Sequence, residues 1–177
     1  MKLYLTRCSY RKRKGEYPPD KLYVSRTIAQ FVSYCRRNFL SWAILSAKYG
    51  LFFPDEQHAD YNVTWKSDNK GRCIVLDGCK RLNLTQSAEY NERLAQKISQ
   101  QAKQRGVSSI VFYAPNPMRT KCYLSILHRA IQGCTEQHGK FSEIAEHVEK
   151  MTQIHGSLYY ITKLKQEASS KKPFCSS

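Results

Sequence analysis

Short apolar runs and stretches of helical periodicity take turns along this chain. Residues 2 to 7 hold Leu3, Tyr4 and Leu5 and run into Thr6-Arg7-Cys8-Ser9, the pattern of a first strand entering a loop. From Ser25 the spacing changes: Ile28, Phe31, Val32 and Cys35 fall on one helical face, with Ser25 at the capping position. Ser41 to Ala47 (SWAILSA) is a continuous apolar run of the kind a buried parallel strand shows, stopped by Lys48-Tyr49-Gly50. Residues 51 to 71 have no clear period and read mainly as loop, and Cys73 to Leu76 reads as a short third strand. Tyr90, Leu94, Ile98 and Ala102 recur every fourth position and predict an amphipathic helix over 88–102, terminated by Gly106.

The clearest strand is Ser108 to Tyr113 (SSIVFY), broken by Ala114-Pro115-Asn116-Pro117 because proline cannot donate to a central ladder. Residues 118–131 predict another helix, through Tyr123, Leu127, Ala130 and Ile131, ended by Gly133. Phe141, Ile144, Ala145, Val148 and Met151 mark a further helical face, and Leu158 to Thr162 (LYYIT) a last strand. Strands alternating with helices argue for a three-layer αβα domain with a mainly parallel central sheet. The expected organisation is a single α/β domain over 1–165, followed by a flexible basic tail over 166–177.

Charge changes the picture most. Lys and Arg total 29 against 14 Asp and Glu, a formal charge of +15, and the sequence pI is about 9.6. A field of that sign attracts phosphates, and displaced counterions then contribute to affinity. Nucleic acid, DNA or tRNA, or a nucleotide is therefore the expected partner; solubility alone is the plainer explanation of the charge. Seven cysteines form an odd set with no C-x-x-C pair, and five histidines are scattered singly, so neither a disulfide framework, nor a metal site, nor a cofactor is expected. Met1 to Leu5 runs straight into Arg7 without an extended apolar region, and no stretch is long enough to cross a bilayer. The expectation is a cytoplasmic protein with reduced thiols and no membrane partner.

In open α/β sheets ligands bind beyond the carboxyl ends of the strands, which selects three segments. After the first strand come Arg7, Cys8, Ser9, Arg11, Lys12 and Arg13, whose guanidinium, hydroxyl and backbone donors suit a phosphate; a solvated basic loop has the same composition. After the second strand come Ser46, Lys48, Tyr49 and Gly50, where small residues admit a ligand, a lysine supplies charge and a ring offers a stacking face. Phe52 and Phe53 read better as core. Asp55, Glu56 and Asp60, followed by Tyr61, supply carboxylates for acid–base work at a glycosidic bond, although acids beside Pro54 also serve as turn residues. Tyr113 and Asn116 can stack on and read a base, and a strand-ending turn explains both as well. Cys8 as a nucleophile lacks a histidine placed by sequence to activate it.

The strings Arg7-Cys8-Ser9 with Lys12, Leu22-Tyr23-Val24-Ser25, and Ile44-Leu45-Ser46-Ala47-Lys48-Tyr49-Gly50-Leu51 with Pro54 and Tyr61 resemble a known pattern. It is that of a family of small bacterial, archaeal and phage proteins sharing a Cys-Ser-x-x-Lys start and an ILSAKYGL segment. The second segment is also similar to a stretch of the peroxide-stress protein YaaA, and the first to the core domain of archaeosine synthase. The resemblance covers residues 1 to 64 and implies a uracil-DNA-glycosylase-like fold, with DNA binding or tRNA base modification as the activity. It adds Tyr23, Ser25 and Tyr61 to the base or sugar pocket.

Together these observations predict an enzyme acting on a nucleobase or glycosidic bond in DNA or tRNA. Ser46, Asp55 and Asp60 are its candidate catalytic residues, and Arg7, Cys8, Ser9, Arg11, Lys12, Arg13 and Lys48 its phosphate-binding set. Tyr23, Ser25, Tyr49, Gly50, Tyr61, Tyr113 and Asn116 are the base or sugar pocket. The alternative is a non-catalytic DNA-binding stress-response protein using the same crevice.

Overall fold

The computed structural model describes residues 1–114, 120–136 and 157–161, the last two in part by backbone alone. In chain order the elements are β1 (Lys2–Arg7), β2 (Glu16–Tyr17), α1 (Pro19–Leu22), α2 (Arg26–Arg37), β3 (Trp42–Ser46), β4 (Gly50–Phe52) and β5 (His58–Ala59). There follow β6 (Val63–Ser67), β7 (Cys73–Asp77), β8 (Lys80–Arg81), α3 (Leu84–Gln104), β9 (Ser109–Ala114), α4 (Lys121–Glu136) and β10 (Ser157–Ile161). The fold is mixed α/β, with helices packed against a partly parallel sheet.

That sheet has the order β10-β9-β1-β3-β4. β1 lies at its centre, parallel to both neighbours, with Tyr4 opposite Trp42 on one side and Val111 on the other. The two outer pairings, β10 with β9 and β3 with β4, are antiparallel, so the expected mainly parallel sheet holds only for its middle three strands. Leu3, Leu5 and Thr6 are all buried, so both faces of β1 are covered, as a central parallel strand requires. On one face, α2 stacks Phe31 on Tyr113 at 5.9 Å and sets Arg36 over the Trp42 ring. Ser25 caps that helix as its spacing predicts, accepting from the Ile28 amide.

Residues 51–71, read above as loop, instead contain most of β4 and all of β5 and β6. These strands are only two to five residues long and antiparallel, too short for alternation to stand out among their aromatics. β7 does form, but in a separate antiparallel sheet, β6-β7-β8, rather than in the central one. The basic stretch after β1 is likewise ordered: Lys12 bridges to Tyr23, Arg13 donates to the Leu22 carbonyl, and Val24 donates to that of Arg11. α4 continues through Gly133 to Glu136 instead of stopping there. The helix expected over 141–151 and the tail over 166–177 lie outside the described residues.

α3 ties the two sheets together. It begins earlier than its apolar period, at a capping box in which Asn83 and Gln86 satisfy each other's backbone amides. Its Ser87 accepts from the Val75 amide of β7, and its Asn91 accepts from the indole of Trp65 in β6 at 2.8 Å. Near its other end, Gln101 serves the open edge of β4, accepting from the Leu51 amide at 2.9 Å and donating to the Leu51 carbonyl at 2.9 Å. One side-chain amide thus stands where no neighbouring strand occurs among the described residues. Gly50, at φ +79°, lies where any Cβ would collide with that Gln101 oxygen.

One expectation is overturned outright. Cys73 of β7 and Cys122 of α4 form a disulfide, whereas reduced thiols were expected throughout. The pairing was invisible in sequence because 49 positions separate the two cysteines and neither sits in a recognisable spacing. Cys8, Cys35 and Cys79 are free.

Two outcomes follow from this packing. Closing a loop of that length contributes about 4 kcal/mol, so a dithiol reductant should lower the unfolding free energy by that order; an unchanged urea midpoint would show that the bond does not form. Gly50→Ala should cost about 2–4 kcal/mol through left-handed backbone and overpacking. Gln101→Ala in the same background should recover part of that loss.

Candidate functional site

The carboxyl ends of β1 and β3 lie side by side, and their last residues are fixed by backbone bonds. Thr6 donates its hydroxyl to the Tyr113 carbonyl at 3.0 Å, and the Cys8 amide extends the ladder to the Leu45 carbonyl at 3.0 Å. Ser46, fully buried, ends β3. Its Oγ accepts from the amides of Lys48 at 3.2 Å and Tyr49 at 2.9 Å, which makes the turn into β4.

The same hydroxyl donates to Tyr61 Oη at 2.8 Å, and Tyr61 Oη lies 2.8 Å from Tyr23 Oη. This gives a chain of three buried hydroxyls. Ser46 spends its proton on Tyr61, and one further proton fills the Tyr61–Tyr23 link. Whichever way that link runs, one phenolic proton is left for an acceptor outside the chain. Nearby, Cys8 Sγ lies 3.2 Å from Tyr123 Oη, and Tyr123 packs edge-on against Trp65. Burial raises the Tyr23, Tyr61 and Tyr123 hydroxyls above the ordinary phenol range, so all three stay protonated donors at neutral pH.

Two ammonium groups attend the Tyr61 ring. Lys12 Nζ lies 4.1 Å from its centroid and Lys48 Nζ 6.0 Å. Lys12 donates to the Tyr10 carbonyl, and desolvation lowers its pKa despite the opposing charges of Cys8 and Asp60. Among the described residues neither lysine has a carboxylate within ion-pair distance. Arg7, at the end of β1, keeps a buried Nε with no hydrogen-bond partner there.

The predicted residues therefore divide. Cys8, Lys12, Tyr23, Ser46, Lys48, Tyr49 and Tyr61 come together. Asp60 stands at the edge: its Oδ1 accepts from the Gly15 amide, and its charge reaches Lys12. Asp55 does not join them, because both of its oxygens are held by Arg105 at 2.7 and 3.1 Å, which also keeps its carboxyl below the usual range. Ser9 closes its own turn onto the Arg11 carbonyl, Ser25 caps α2, and the Tyr113 ring stacks on Phe31. Arg11 and Arg13 are exposed, Gly50 packs against Gln101, and Asn116 lies outside the described residues. One face of Tyr49 is already occupied by His58, stacked at 4.2 Å, so that ring is not open on both sides.

Sequence reasoning missed Tyr123 and His58. Tyr123 falls on the apolar face of its helix, and nothing in its spacing marks a hydroxyl reaching a thiol 115 positions away. His58 was set aside as a single histidine, and its stacking depends on the unrecognised β5.

Fold and site define an α/β protein with a buried hydroxyl network under unpaired cations at the strand ends. Residues 3–142 match the model of a family of unknown function, DUF6884, and the chain belongs to that family. No curated protein and no solved structure matches it. No helix among the described residues is long and apolar enough to cross a membrane, and no cluster of metal-ligating side chains occurs among them.

The lowered Lys12 pKa has a definite sign in stability. Below its folded pKa the native state bears the full cost of a desolvated ammonium; that cost is relieved as pH rises from the folded value towards the ordinary 10.5. Lys12→Met should therefore be more stable than the parent at neutral pH, with the advantage shrinking across that window. Urea unfolding of both proteins over the alkaline range checks it, and a pH-independent difference would contradict it.

Proposed function

We propose that this protein is a nucleic-acid-associated enzyme that acts on a nucleobase or its glycosidic bond at the carboxyl ends of β1 and β3. The observation that carries the reading is the leftover phenolic proton of the Ser46–Tyr61–Tyr23 chain beside two cations that have no carboxylate partner among the described residues. A buried neutral donor next to ammonium groups suits a ligand presenting a carbonyl or an oxyanion together with a phosphate. The charge of +15 supports a polyanionic partner.

Roles follow from chemistry. Lys12, Lys48 and Arg7 hold phosphate, the Tyr23–Tyr61 pair donates to the base or sugar, and Asp60 is the acid or base. Ser46 becomes a positioning residue, since its hydroxyl already makes three hydrogen bonds. The accompanying fold reading is a three-layer αβα arrangement of the uracil-DNA-glycosylase type, supported by the buried faces of β1 and by the resemblance of the ILSAKYGL segment to YaaA and of the Cys-Ser-x-x-Lys segment to archaeosine synthase. A non-catalytic DNA-binding protein is the second reading. It is favoured by one specific observation: no carboxylate makes a hydrogen bond to the buried hydroxyl chain among the described residues.

The test is titration against duplex DNA, single strands and tRNA at two salt concentrations, followed by mass analysis of the recovered bases. Tyr61→Phe and Asp60→Asn should each lower turnover at least about 100-fold, with affinity held within about threefold. If no base is released or altered, catalysis is excluded. A flat salt response in all three ligands would remove the nucleic-acid reading altogether.

A further inference from the structure

The small sheet β6-β7-β8 has two unlike faces. Val63, Trp65 and Val75 are buried in the main core, and Cys73 is bonded to α4. The alternate positions face the other way, with Lys66 opposite Ile74 and Leu76 opposite Arg81. Together with Lys70 and Arg72 from the β6–β7 turn, these side chains line a groove of about 410 Å³. Ile74 is only 3% exposed yet lies outside the main core cluster, so it forms an apolar floor beneath the groove's charged rim.

The rim is strongly one-signed. Its carboxylate, Asp68, is consumed by the turn: it accepts from the amides of Lys70 and Arg72 and from the Arg72 guanidinium at 2.7 Å. Lys66, Lys70 and Arg81 have no carboxylate partner among the described residues, and the Lys121 ammonium lies against Gly71 in the same turn. Crowding these cations costs self-repulsion that an anionic ligand relieves. The groove is too large for one phosphate. Its cations come from two strands and a turn, spread along an apolar floor. A chain of regularly spaced phosphates with flat, weakly polar groups between them fits that arrangement, phosphates to the rim and sugar or base edges over Ile74 and Leu76. A lipid surface fits less well, because the groove presents no bulky apolar side chain to insert.

We propose that the outward face of β6-β7-β8 is a second binding surface, one that holds a single-stranded nucleic-acid segment flanking the nucleotide at the hydroxyl network. It rests on the reading given under Proposed function. The experiment compares the parent with Lys66→Gln/Arg81→Gln and with Lys70→Gln, which sits in an exposed turn. Three probes are used: a 20-nucleotide single strand, a mononucleotide, and vesicles of phosphatidylserine in phosphatidylcholine.

The double variant should bind the single strand at least about tenfold more weakly, and the slope of log affinity against log salt should fall by about 1.4, two contacts at about 0.7 each. Lys70→Gln should move both quantities in the same direction by about half. Mononucleotide binding should be unchanged in both. If the parent binds the single strand and neither variant alters affinity or slope, the second surface is overturned while the reading of the main site stands. If the parent binds neither single strand nor mononucleotide, both fail. Binding to vesicles alone, lost in the double variant, would assign the groove to a lipid surface and overturn it too.

Discussion

The turn between β3 and β4 is the constraint on which the site depends. β3 is buried along its whole length and must reverse immediately into β4 without leaving backbone amides unpaired. Ser46 Oγ takes two of them, the Ala47 carbonyl accepts from Tyr90, and Gly50 supplies the left-handed backbone that returns the chain. Gln101 then closes the free edge. Every member of Ser46-Ala47-Lys48-Tyr49-Gly50 thus has a backbone or packing task, and Lys48, which gives its amide to Ser46, leaves its ammonium at the rim over the tyrosine rings.

That constraint brings a cost with it. A serine wholly removed from water must have its hydroxyl satisfied, and two amides alone leave its proton without an acceptor. Tyr61 supplies the acceptor, and Tyr23 links to Tyr61, so the polar chain runs on into the protein from the turn. Because every link lies in a low-dielectric setting, the phenols remain neutral, and Lys12 beside them is partly desolvated. The turn geometry and the placement of the Tyr61 and Tyr23 hydroxyls thus follow from one buried hydroxyl, while burial keeps the tyrosines protonated and lowers the Lys12 pKa.

The legible part of this structure was the part fixed by local pattern. β1, β3, β9, α2 and most of α3 follow from apolar runs, a 3.6-residue period and a serine cap, all readable within a dozen residues. The illegible part depends on partners far away in sequence. Gln101 looks like an exposed helical polar residue until β4 is known to lack a neighbour, and the Cys73–Cys122 bond needs β7 and α4 already docked. For the site, strand-end position points to Lys12, Ser46 and Lys48, which lie together with Tyr61 in the structure, but the acids could not be ranked. Asp55 and Asp60 have similar surroundings in sequence, and only the location of Arg105 at the end of α3 removes the first.

This separation bears on what the resemblance can carry. In the ILSAKYGL segment, Ile44, Leu45 and Leu51 are core, Ser46 and Gly50 make the turn, and Tyr49 is anchored to the Ala59 carbonyl. A stretch so fully engaged in folding would be required by any protein with this strand reversal, whatever its chemistry. The segment after β1 is different. Cys8 and Lys12 occupy the network without being needed to close a turn, and Lys12 is held at a desolvation cost that folding alone does not demand. The proposed function therefore rests more on the Cys-Ser-x-x-Lys piece, the weaker of the two as a pattern, and variants of Cys8 and Lys12 test it more directly than any change within ILSAKYGL.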